Sequence, residues 1–61
     1  MKIALELEGL DGNAFAILGA FTKAAKMQNI PKEDIDAVIE KAMSGDYNHL
    51  IQTIMENTES P

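Results

Sequence analysis

Lys2-Ile3-Ala4-Leu5-Glu6-Leu7-Glu8-Gly9-Leu10-Asp11-Gly12-Asn13, running straight into Ala14-Phe15-Ala16-Ile17-Leu18, is the stretch whose reading decides the fold. Residues 2–8 alternate with period two, which predicts a strand with Ile3, Leu5 and Leu7 on one face. The glycines at 9 and 12 mark a loop over 9–12. From Ala14 the pattern becomes helical, and Asn13 or Asp11 can cap that helix by accepting from a free N–H of its first turn. A lone strand leaves backbone donors and acceptors unpaired, and no other segment reads as a second strand. A second copy of the chain is the expected source of the missing partner.

Further along, the spacing predicts helices over 14–28, 31–43 and 46–57, with a frayed tail at 58–61. Asn29-Ile30-Pro31 ends the first helix and opens the second, since proline suits a first helical position. Glu33 and Asp34 follow where the helix dipole favours negative charge. Ser44-Gly45-Asp46 places glycine past one helix and a capping aspartate before the next. Ile35, Val38, Ile39, Ala42 and Met43 form a one-sided apolar stripe, and Tyr47, Leu50, Ile51, Ile54 and Met55 repeat it. The first helix takes no side: Ala14, Phe15, Ala16, Ile17, Leu18, Ala20 and Phe21 surround its axis. That points to a central helix covered on most sides, with Ala16, Ala20, Ala24 and neighbouring Gly19 allowing a second helix to approach closely. The fold class expected is mainly α, a β-α-α-α chain in one domain over residues 1–61, its strand paired with a second subunit.

With 61 residues the chain sits near the lower size limit for a stable single core. It has no cysteine, so disulfides are excluded and metal sites lose their best ligands. Oligomerisation is the remaining common route to stability. The net charge is −5, and all of it falls after residue 30, because residues 1–30 balance Glu6, Glu8 and Asp11 against Lys2, Lys23 and Lys26. There is no arginine. Phosphate-backbone binding needs clustered positive charge and base readout leans on arginine, so nucleic acid is excluded as the expected partner. The apolar run at 14–21 is too short to span a bilayer, and no signal pattern opens the chain, which points to the cytoplasm.

No residue set presents a catalytic, cofactor or metal centre. Gly9–Asn13 resembles a phosphate loop in outline but lacks the Walker lysine and the dinucleotide glycine spacing, and Asp11 would repel an anion. Glu8, Asp11 and Asn13 lack the calcium-loop pattern of alternating oxygen ligands closed by a glutamate. His49, the one histidine, falls away from the apolar stripe and reads as a solvated side chain. Met27, Met43 and Met55 read as core, and Tyr47 as half-buried packing. The candidate dimer strand and central helix comprise Ile3, Leu5, Leu7, Phe15, Ala16, Gly19 and Ala20. Asp34, Asp36 and Glu40 form a candidate acidic face for a partner with a basic surface.

Leu7-Glu8-Gly9-Leu10-Asp11-Gly12-Asn13-Ala14-Phe15 and the later Ser44-Gly45-Asp46-Tyr47 resemble a group of small bacterial, plasmid and phage proteins with a Gly-x-Asp-Gly-Asn-Ala-Phe signature. No function is known for that group, so the resemblance implies none. The strand-then-helices order is similar to ribbon–helix–helix repressors, which implies a dimer through paired strands. Their base-reading positions here hold Lys2, Ala4, Glu6 and Glu8, whose carboxylates would face DNA phosphates, so the DNA-binding role does not transfer. Residues 27–56 resemble the loop–helix–turn–helix part of ubiquitin-associated domains, although Met27-Gln28-Asn29 departs from their Met-Gly-aromatic loop. The sequence therefore points to a non-enzymatic, acidic accessory protein acting through protein–protein contacts as a homodimer. The alternatives are a monomeric three-helix binding module and an acidic DNA mimic or repressor antagonist.

Overall fold

The computed structural model describes residues 2–61. The order is β1 (Ile3–Ala4), α1 (Ala14–Met27), α2 (Lys32–Ala42), α3 (Tyr47–Glu56) and β2 (Thr58–Glu59). The mainly helical β-α-α-α reading stands, with one addition that changes its meaning. β1 pairs in parallel with β2 of its own chain, Ile3 opposite Thr58 and Ala4 opposite Glu59. Ile3 N–H donates to Asn57 O at 2.8 Å and Leu5 N–H to Glu59 O at 2.9 Å. The expectations of a strand over 2–8, of a frayed tail at 58–61 and of no second strand within the chain are corrected together. Only two residues at each end form ladder, too few for a period-two signal to reveal β2. The alternation still sorts the faces: Ile3 is buried, Leu5 and Leu7 are half-buried, and Lys2, Glu6 and Glu8 are exposed.

The other edge of β1 is closed by a side chain. The Gln28 amide donates to Ala4 O at 2.8 Å and accepts from Ala4 N–H at 3.0 Å, completing what a third strand would supply. Gln28 stands there because α1 stops at that point. Asn29 takes a left-handed φ of 63°, Ile30 N–H reaches back to Ala25 O and Asn29 N–H to Lys26 O, both at 3.1 Å. This is the Schellman stop, with Ile30 tucked against the core as its apolar companion.

The helices run slightly shorter than their patterns, because the flanking residues serve as caps. Asn13 accepts from Phe15 N–H at 2.8 Å, with its own N–H held by Asp11 at 2.9 Å. Asp46 caps α3 by accepting from His49 N–H at 2.9 Å. Pro31 precedes α2 as its cap residue, without a side-chain bond. The core gathers Ile3, Ile17, Leu18, Phe21, Ala25, Ile35, Ala42, Leu50 and Ile54 from every element except β2, which adds buried Thr58. Buried Thr53 and Thr58 turn their hydroxyls back onto His49 O and Ile54 O, so neither is unsatisfied.

Two expectations about burial are corrected. Met27, Met43 and Met55 are exposed, and the core positions at these helix ends are held instead by Ala25, Ala42 and Ile54. Tyr47 is also exposed. Helix α1 is covered on one side only: Ile17, Leu18, Phe21 and Ala25 are buried, while Phe15, Ala16 and Gly19 face outward and Ala20 is half-buried.

Candidate functional site

The bare side of α1 is the largest departure from a closed globule. Phe15 is 78% exposed although it lies in the first turn, two positions from core-facing Ile17. Asn13 fixes it there, because capping at the Phe15 N–H sets the start and hence the rotation of the helix. A hollow beside it is lined by Phe15, Leu18, Met43, Tyr47 and Leu50. A second hollow, lined by Leu18, Gly19, Lys23, Lys26, Met27 and Ile39, continues along α1. Leu18 joins the two into one apolar face, crossing α1, the end of α2 and the start of α3. A Cβ at Gly19 would meet nothing within 4 Å, so this stretch of backbone lies open to a neighbour. Of the candidate residues named from sequence, Phe15, Ala16, Gly19 and Ala20 lie on or beside this face. Ile3, Leu5 and Leu7 belong to the β1 side and serve the chain's own core.

His49 departs from its expected place on the surface. It is half-buried, with Nε2 2.8 Å from Lys41 O and 3.2 Å from Ser44 Oγ. A carbonyl oxygen only accepts, so Nε2 carries the proton that reaches Lys41. Ser44 Oγ also donates to Lys41 O, at 2.7 Å. Both groups spend their hydrogen on the same carbonyl near the end of α2, Lys41 O, and Ser44 is not activated by a basic nitrogen. The pair works as a helix stop. Sequence reading missed it because His49 meets Lys41 only once the Ser44–Asp46 turn folds α3 back.

The remaining candidates stay local. Asp34, Asp36 and Glu40 are exposed on α2, with Asp36 3.8 Å from Lys32. Such a solvent-exposed pair contributes little. In the Gly9–Asn13 turn Asn13 N–H donates to the Asp11 carboxylate and Leu10 N–H to Leu7 O, and the Tyr47 hydroxyl ties Gly12 O to α3. Gly9 turns the chain with φ of 88°, a conformation that favours glycine. Among the described residues no group of three acidic, histidine or cysteine side chains is placed to hold a metal ion, and no helix is long and apolar enough to cross a membrane. No protein-family model, curated protein or solved structure matches the chain.

Proposed function

We propose that this chain is a small, non-enzymatic, cytoplasmic accessory protein acting through protein–protein contacts, as a homodimer joined along the bare side of α1. The observation that carries this is Phe15, 78% exposed in a face that also holds Met27, Met43 and Tyr47. Contiguous exposed apolar surface on a small protein marks a contact site far more often than a solvated one. Gly19 supplies the geometry. Two α1 helices crossing antiparallel at Gly19 bring Phe15 of each copy opposite Lys23 of the other, since both residues stand four positions from it. An aromatic ring against a lysine stem and ammonium is a favourable pair, and the two-fold arrangement makes it twice. Any further partner is a protein with a basic surface rather than nucleic acid, given the charge of −5 and the absence of arginine.

Light scattering behind size exclusion, at low micromolar concentration, tests the dimer. The expected mass is twice the 6.7 kDa chain, falling to a single chain for Phe15→Lys with an unchanged circular dichroism spectrum. A single-chain mass for the native protein would sink the dimer. It would favour the second reading, a monomeric three-helix binding module, which is supported by the Gln28 amide filling the outer edge of β1.

A further inference from the structure

A cleft on another side of the molecule shares no lining residue with the bare face of α1. Leu7, Leu10, Ile17, Ile51, Ile54 and Met55 line a partly open cavity of about 260 Å³ between the loop after β1 and helices α1 and α3. An apolar cavity of roughly 150 Å³ already accommodates a benzene-sized guest, so this one is large enough for a whole apolar side chain. Its polar atoms offer little to a neutral ligand. Gly12 O is taken by the Tyr47 hydroxyl, and Asp11 accepts from Asn13 N–H.

Across Leu7 and Met55 the cleft continues into a shallower hollow of about 180 Å³ that reaches β2 and brings in Glu6 and Glu59. Among the described residues the two hollows together carry three carboxylates, Asp11, Glu6 and Glu59, and no cation. On the bare face of α1 the hollow beside Gly19 carries Lys23 and Lys26 and no acidic residue, while Asp46 lines the hollow beside Phe15. An elongated apolar slot with a one-signed anionic rim selects its occupant by charge as well as shape.

We propose that this cleft seats a basic amphipathic peptide segment of a partner protein, one apolar side chain filling the cavity and neighbouring lysines or arginines meeting Glu6 and Glu59. The cavity supplies the anchor, because fully desolvated apolar pockets carry most of an interface's energy. The rim supplies orientation and selectivity against acidic partners. An anionic lipid surface is disfavoured by the same rim.

Amide-resonance titration of the full chain with a 14-residue Leu/Lys amphipathic peptide tests this, with a Leu/Glu peptide of the same pattern as control. The expected result is saturable shifts at Leu7, Leu10, Ile51 and Met55 with the Leu/Lys peptide and none with the Leu/Glu peptide. Glu6→Gln with Glu59→Gln should weaken binding at least tenfold, the glutamine at 6 keeping an acceptor for the Glu8 N–H. Leu10→Asn keeps the rim charges, lies outside the core, and should also weaken binding at least tenfold. Shifts centred on Asp34, Asp36 and Glu40, equal binding of both peptides, or full affinity in Leu10→Asn would overturn the proposal. So would binding of octylamine but not of the peptide, which would reassign the cleft to a small amphiphilic cation.

Discussion

Gly45 leaves room for one imidazole ring. A Cβ there would stand 2.7 Å from His49 Cγ, closer than real side chains approach. The ring cannot yield cheaply, because its Nε2 is held by the Lys41 carbonyl at 2.8 Å. Gly45→Ala is therefore expected to destabilise the fold by about 1–3 kcal/mol, the usual cost of overpacking. His49→Ala removes the obstacle, so the same glycine change in that background should cost much less. Urea denaturation of the two single variants and the double variant measures the coupling. An additive cycle would show that the ring does not set the requirement for glycine.

At the scale of elements, the C-terminal residues are structural. Glu59 O accepts from Leu5 N–H, and Thr58 is buried with its hydroxyl on Ile54 O. Removing residues 58–61 deletes the acceptor for Leu5, a buried side chain and the cover over Ile3. At about 1 kcal/mol for each lost hydrogen bond plus the lost burial, the expected cost is about 2–3 kcal/mol. A chain of this size has roughly 3–9 kcal/mol of stability in all, so the truncated protein should melt far earlier. Removing only Ser60 and Pro61, both exposed, should change the melting temperature little. Equal melting of the two truncations would mean that the short sheet adds nothing. β1 is then held from two sides by different means, a strand on one edge and the Gln28 amide on the other.

Across the whole molecule, the two phenylalanines of α1 separate folding from association. Phe21 is fully buried and Phe15 is 78% exposed, one facing the core and the other the open side. Phe21→Ala should cost about 3–5 kcal/mol and leave little folded protein. Phe15→Ala should change the stability of the isolated chain by no more than about 0.5 kcal/mol, as surface substitutions do. Thermal melts at a concentration where light scattering reports a single chain check both, and comparable losses there would place Phe15 in the chain's own core.

Local periodicity and capping residues determined most of the helical architecture. The stripes from Ile35 and Leu50 mark the inward faces of α2 and α3, and Asn13, Asp46 and the Asn29 stop lie where the pattern predicts. The alternation of Ile3, Leu5 and Leu7 correctly names the buried side of a segment that is mostly not strand. Three things waited for the tertiary structure: the pairing of Ile3 with Thr58, the Gln28 amide on Ala4, and His49 on the Lys41 carbonyl. Each joins groups brought together only by the packing of α1, α2 and α3. A repeating pattern encodes which face of a segment is apolar, whereas a hydrogen bond between distant segments depends on where the folded core delivers them.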